Sequence, residues 1–179
     1  MRNSRRVLFG VDQQFDLGQL ELPEGIGEGR YKYRLPYGRT LGAAAISSYK
    51  PRILSSLVVV EPDHFEYPLK FADRTRFERL RRRAGLSELD ASDDILIVVG
   101  GLLTDTSYSN VALFNGRTWV TPSHPLLDGV KRAELLHRSA IEVADIRLSE
   151  LQSYETLSIV NAMLDLGEIV VPVGSIIIQ

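Results

Sequence analysis

Asp105 stands five places before Asn110, which opens an apolar run, Val111-Ala112-Leu113-Phe114. A carboxylate fixed beside such a strand can hold a cation; a plain turn role after Gly100-Gly101 is the alternative for an aspartate here. Amine chemistry has few candidates, because 17 arginines stand against four lysines: Lys32, Lys50, Lys70 and Lys131. A lysine that is desolvated loses its proton and becomes both nucleophile and base. Further on, Thr121-Pro122 precedes Leu126-Leu127-Asp128-Gly129-Val130-Lys131-Arg132. A helix starting at Gly129 would turn unpaired backbone N–H groups toward an anion.

The elements that must position these groups are of both kinds. Leu57-Val58-Val59-Val60 lies in a β-branched run from Ile53 to Glu61 that predicts a buried strand, and Asp94 to Val99 predicts another. Between them, Lys70 ends a short segment from Phe65. Arg74 to Ala84 then reads as a helix with Phe77 and Leu80 facing inward, stopped by Gly85. Gly100-Gly101 predicts a hairpin turn. Asn115-Gly116 predicts a second, between strands Tyr108 to Phe114 and Thr118 to Val120. Gly129 to Arg138 reads as a helix, Glu142 to Leu148 and Leu157 to Asn161 as strands, and Glu168 to Ile178 as strand-rich. Upstream, Ser4 to Gly10 reads as the end of a helix, Phe15 to Leu22 has helical spacing closed by Pro23, and Arg30 to Leu35 and Thr40 to Ser48 read as strands. Tyr49-Lys50-Pro51 looks like a connection between lobes. The expectation is an α+β fold with a small N-terminal lobe, 1–48, and a larger C-terminal lobe, 53–179.

Bulk properties narrow the function classes. The 179 residues are 44% hydrophobic and 25% charged, ordinary for a globular chain that buries a core. A formal charge of −2 gives no general attraction to nucleic acid or anionic membrane. Arg79, Arg81, Arg82 and Arg83 cluster late in one helix, where cations are favourable in themselves and a solvated face is the simpler reading. No apolar run is long enough to cross a bilayer. The absence of cysteine excludes disulfides and thiolate metal sites and fits a cytoplasmic setting. His64, His124 and His137 have no ligand spacing, so no metal site is expected.

The order Asp105 … Asn110 … Thr121-Pro122 … Gly129-Val130-Lys131-Arg132 resembles the pyridoxal-phosphate (PLP) enzymes of aminotransferase class IV. Leu69-Lys70-Phe71-Ala72-Asp73-Arg74 is similar to the Leu-Lys-x-x-Asn-Arg run of aminodeoxychorismate lyases, with Asp73 in the place of asparagine. Branched-chain aminotransferases tend to show tyrosine five residues after the lysine, where this chain has Thr75. The resemblance implies that Lys70 forms the Schiff base and that Asp105, in the place of the family's glutamate, holds the protonated pyridine nitrogen. It implies Asn110 as the strand-opening partner and Leu127 as packing on the ring. The phosphate would be held by Gly129, Val130 and Lys131, a turn resembling the family's Gly-Ile-Thr-Arg. A further phosphate contact is implied at Asn161-Ala162.

The same resemblance implies a class IV fold acting as a homodimer on a small amino substrate. Its first implied activity is that of 4-amino-4-deoxychorismate lyase, releasing pyruvate to form 4-aminobenzoate on the folate route. The alternatives are amino-acid transamination of branched-chain or D-amino-acid type, and a non-catalytic remnant of the fold. The family's opening strands carry a His-x-x-Arg signature whose arginine clamps the phosphate. This chain is expected to begin just past that signature, since Arg2, Arg5 and Arg6 do not occupy the matching place. Either an internal methionine was taken as the start or the lineage has lost the segment.

Overall fold

The computed structural model describes residues 2–12, 15–16, 18, 24–87 and 92–178. The helical spacing read over Phe15 to Leu22 lies largely outside these. The chain divides into two compact units, Met1–Pro51 and Arg52–Gln179.

In the first unit, helix α1 (Arg2–Phe9) is followed by an antiparallel ribbon of β1 (Tyr31–Arg34) and β2 (Ala45–Ser48). Arg5 is buried here; its guanidinium donates to the carbonyls of Gly38 and Arg39 and lies over the Phe15 ring. The strand expected from Thr40 is shorter than its apolar composition suggested. Gly42 N–H returns to the Pro36 carbonyl, closing a turn before the ribbon resumes at Ala45.

The second unit is built on a sheet with nine strands among the described residues. Strand β3 (Ser56–Val60) runs parallel to β4 (Asp93–Val99), and α2 (Thr75–Arg83) makes the crossover. Both strands are covered, which explains their near-continuous apolar runs. Phe77, Leu80 and Ala84 pack with Val58, Val60, Ile95, Ile97 and Tyr67. The rings of Phe65 and Tyr67 meet Phe77 edge-on, with centroids 5.1 and 4.7 Å away. Gly100 and Gly101 have φ of +60° and +74°, the left-handed pair a two-residue hairpin needs, and they turn β4 into antiparallel β5 (Leu102–Thr106).

Strand β6 (Asn110–Phe114) then pairs with three neighbours. On one side lies β9 (Thr156–Val160), along its whole length. The other side is shared: β5 pairs with it only at Asn110, and β7 (Trp119–Pro122) only at Leu113 and Phe114. The sheet therefore forks at Val111-Ala112. The short outer strands are β8 (Glu142–Ala144) beside β7, β10 (Val170–Pro172) beside β9, and β11 (Ile176–Ile177) beside β3. Helix α3 (Val130–His137) packs Leu135 against Ala112, Ile141 and Val160. The architecture is α+β, a mixed sheet with few helices.

Two strand limits differ from expectation for local reasons. Strand β6 starts at Asn110 because Thr106 and Ser109 close a turn across Ser107 and Tyr108. Strand β8 stops at Ala144, and Leu148–Ser153 winds into a 3₁₀ helix that buries Leu151.

Candidate active site

Asp105 and Asn110 face each other across the first pair of β5 and β6. The turn between them is closed by hydrogen bonds from the N–H of Thr106 to the Ser109 carbonyl (2.9 Å) and from the N–H of Ser109 to Thr106 Oγ1 (3.1 Å). This brings Asn110 Nδ2 to 2.8 Å from Asp105 Oδ1. The same amide donates to the Leu127 carbonyl at 2.8 Å, and the Leu127 N–H donates to Asp105 Oδ2 at 3.0 Å. Each carboxylate oxygen thus receives a donor, and the loop before α3 is drawn into the fork of the sheet. Asp105 is only 5% exposed. Burial pushes its carboxyl up to about 7, against the opposing pull of Asn110, the Leu127 and Leu126 N–H groups and the Arg132 charge.

Arg132 and Gly129 complete the floor. The buried Arg132 guanidinium donates to Thr121 Oγ1 at 3.2 Å and the Pro122 carbonyl at 2.7 Å, while the Thr121 hydroxyl donates to the Val111 carbonyl at 2.8 Å. These bonds replace ladder pairing where β5 and β7 part. Gly129 is extended, with φ −74° and ψ 139°, so any residue could adopt its backbone conformation. Space is what selects glycine, since a Cβ there would collide with Asn110 Oδ1. The start of α3 is thereby held against the strand that carries Asn110.

The N–H groups of the first turn of α3 have no intrahelical partner and present a positive end. Val130 is exposed at that end. Lys131 Nζ pairs with Glu134 at 2.9 Å and with Asp165 at 2.7 Å, and these carboxylates raise its pKa. Its charge is therefore spent on tying α3 to the loop that begins at Asn161. Asn161 Nδ2 donates to Ser109 Oγ at 2.8 Å, its Oδ1 accepts the Met163 N–H at 2.8 Å, and Ala162 beside it is exposed. Asp105, Asn110, Leu127, Gly129 and Asn161 thus form one connected group, with Lys131 fastening its rim. Leu127 also packs its side chain against the apolar cluster beneath α2.

Lys70 is exposed and lies in the irregular connection between β3 and α2. Tyr67 OH donates to the Phe71 carbonyl at 2.9 Å, clasping the stretch that carries the lysine. Arg74 joins this loop to the acid: Nη1 donates to Tyr67 OH at 2.9 Å, and Nη2 to the Ser107 carbonyl in the turn after Asp105.

Asp94, fully buried on β4, holds that turn from the other side. Its Oδ2 accepts from Ser107 Oγ (2.9 Å) and N–H (3.2 Å), its Oδ1 from Arg81 at 2.6 Å, and Arg52 lies 3.5 Å away. One arginine of the basic cluster in α2, the half-buried Arg81, is therefore a partner of a buried acid, whereas Arg82 and Arg83 remain exposed. Truncation by Asp94→Ala would strand the Arg81 charge and the Ser107 donors. The expected loss is about 3 kcal/mol of stability, checked by urea unfolding against the parent.

Asp94 and Ser107 were given no role from the sequence, and Arg74 and Arg132 stood there only as members of motifs, without a job of their own. Asp94 had a readable signal, an acid at the head of Ile95-Leu96-Ile97-Val98-Val99 that burial would force to find a cation.

The chain matches the sequence pattern of class IV amino-transferases over residues 35–175. It belongs to the class IV aminotransferase family. The enzymes of this family depend on PLP. A candidate 4-amino-4-deoxychorismate lyase of Haemophilus somnus has a crystal structure that is 32% identical, with TM-score 0.70, over 78% of this chain and 69% of that one. An uncharacterised protein of Haemophilus influenzae is 29% identical over 144 residues, 80% of this chain and 74% of its own. A candidate amino-acid aminotransferase of Mesorhizobium loti is 23% identical, with TM-score 0.61, over 79% of this chain and 72% of that one, and shares the fold. Among the described residues, no group of three or more His, Cys, Asp or Glu side chains is placed to hold a metal ion, and no helix is long and apolar enough to cross a membrane.

Proposed function

We propose that this class IV chain is a PLP-dependent lyase, releasing pyruvate from 4-amino-4-deoxychorismate to leave 4-aminobenzoate. The observation that carries the reading is the buried carboxylate of Asp105. Asn110 and the N–H groups of Leu126 and Leu127 donate to it, and among the described residues no directly bonded cation offsets its burial. A protonated ring nitrogen is the kind of partner this acid lacks. The residues fit the cofactor at its other end too, because the first turn of α3 and the Asn161 loop meet there.

PLP, when bound, supplies a pyridinium ring that accepts electrons from the substrate. Asp105 would keep its nitrogen protonated, and Leu127 would pack on a ring face. The N–H groups of Val130 and Lys131, with Gly129, Asn161 and Ala162, would hold the phosphate. Lys70 Nζ would anchor the group and carry the proton taken from the amino-bearing carbon of the substrate. The reading brings with it a homodimer, a small-molecule amino substrate and a cytoplasmic place on the folate route, with neither nucleic acid nor membrane as partner.

The lyase is favoured over transamination by the Leu69-Lys70-Phe71-Ala72-Asp73-Arg74 run and by Thr75. The test is incubation of the PLP-supplemented protein with 4-amino-4-deoxychorismate, following pyruvate and the aromatic amine. Equal amounts of both are expected. Amino exchange between an amino acid and a 2-oxo acid, without pyruvate release, would make it an aminotransferase. Neither product would leave a non-catalytic member of the family.

A further inference from the structure

Arg74 occupies a position that no assigned role explains. One of its guanidinium nitrogens donates to Tyr67 OH at 2.9 Å and another to the Ser107 carbonyl. Its plane is stacked against the Phe77 ring, 3.9 Å from the centroid, which fixes the fork's orientation against the core. Tyr67 OH in turn donates to the Phe71 carbonyl, across the stretch containing Lys70. Ser107, at the far end, is held by Asp94 through its N–H and hydroxyl, and lies two residues beyond Asp105. A single side chain therefore ties the loop around Lys70 to a carbonyl 33 positions beyond Arg74, a link that no strand pairing makes.

We propose that Arg74 is a positioning residue that sets the Lys70 loop in register with the Asp105–Asn110 turn, an inference that rests on the PLP reading only for its catalytic meaning. The physical basis is the geometry of the donor. A guanidinium offers nitrogens along divergent directions from one rigid plane, so it can fix two acceptors relative to each other. A lysine offers one mobile point charge and a glutamine one short amide, and neither can satisfy both acceptors while stacked on Phe77. The two ends of the link differ in rigidity. Ser107 is buried and anchored by a buried carboxylate, whereas the stretch around Lys70 is exposed and has no regular structure. The arginine thus passes order from the sheet to the lysine, not the reverse.

The test is amide hydrogen exchange on the full, cofactor-free chain, comparing the parent with Arg74→Gln and Tyr67→Phe. For Arg74→Gln, exchange is expected to rise about tenfold in 67–73 and measurably in 106–109, with β6 and β9 unchanged. Tyr67→Phe should loosen 67–73 while leaving 106–109 as in the parent. Unchanged exchange at 67–73, or an even rise across the whole sheet, would overturn the proposal. The second arm uses the PLP-supplemented protein and reads the pH at which its visible band changes position. Arg74→Gln should shift that pH and Arg74→Lys restore it in part, whereas an unshifted band would overturn the link to Lys70. A parent that takes up no PLP would defeat the PLP reading instead, and the exchange arm would still decide the coupling.

Discussion

Lys70→Ala is expected to abolish the visible-absorbing adduct with PLP and to reduce turnover by at least the roughly 10²–10⁴-fold typical of removing a positioned proton carrier. The folded chain should barely notice. Lys70 is exposed, and exposed substitutions away from caps and cores usually change stability by about 0.5 kcal/mol or less. This separation of function from stability distinguishes a cofactor lysine from a structural one. The measurement pairs the absorption spectrum with thermal unfolding of both proteins. Loss of colour with an unchanged unfolding midpoint is the expected outcome. Retained colour would mean that another amine carries the cofactor, and among four lysines Lys131 is already engaged by Glu134 and Asp165.

Asp105→Asn should have the second-largest effect, and it acts on two observables with opposite origins. The amide cannot carry a negative charge, so the ring nitrogen would lose its counter-ion and PLP affinity should fall about tenfold or more. Stability responds differently. Asp105 has a folded pKa of about 7 against an ordinary 3.8, so between these values the folded chain holds a proton that the unfolded chain has released. Its contribution to stability is fully present below pH 3.8 and is lost as pH rises through about 7. In the cofactor-free protein, the parent should therefore weaken between pH 5 and pH 7.5 relative to Asp105→Asn, as read by urea unfolding at both values. Asparagine would also set an N–H₂ against one of the donors from Asn110 and Leu127, so a pH-independent offset is expected beside the change in slope. A parent and variant with parallel pH profiles would mean that Asp105 is an ordinary ionised aspartate.

Much of this was legible in the chain because local chemistry decided it. Gly100-Gly101 needed only its left-handed backbone to announce the β4–β5 hairpin, and the spacing of Phe77 and Leu80 announced the face of α2. The five-residue interval from Asp105 to Asn110 is a strand pairing closed by a short turn, so sequence spacing became spatial contact directly. Other features depended on long-range geometry. The fork at Val111-Ala112 exists because β5 and β7 compete for one edge of β6, and no single segment records that competition. Arg132 was visible as part of a motif, yet its job of filling the fork through Thr121 and Pro122 was not. Lys131 read as part of a turn for an anion. The two carboxylates that claim it come from its own helix and from a loop 34 positions away. The outer strands β8, β10 and β11 fall inside stretches read as strand, Glu142 to Leu148 and Glu168 to Ile178, but at two or three residues each their limits are too short for alternation to fix.

Lys70 and Asp105 are proposed to serve a single bound PLP. The most direct test of that shared role is to add PLP to the purified chain, record the visible spectrum, reduce with borohydride and map the labelled peptide. A yellow protein with the phosphopyridoxyl group on Lys70, and no such label in Asp105→Asn at limiting PLP, is the predicted result. A colourless parent, or a label scattered over surface lysines, would contradict it.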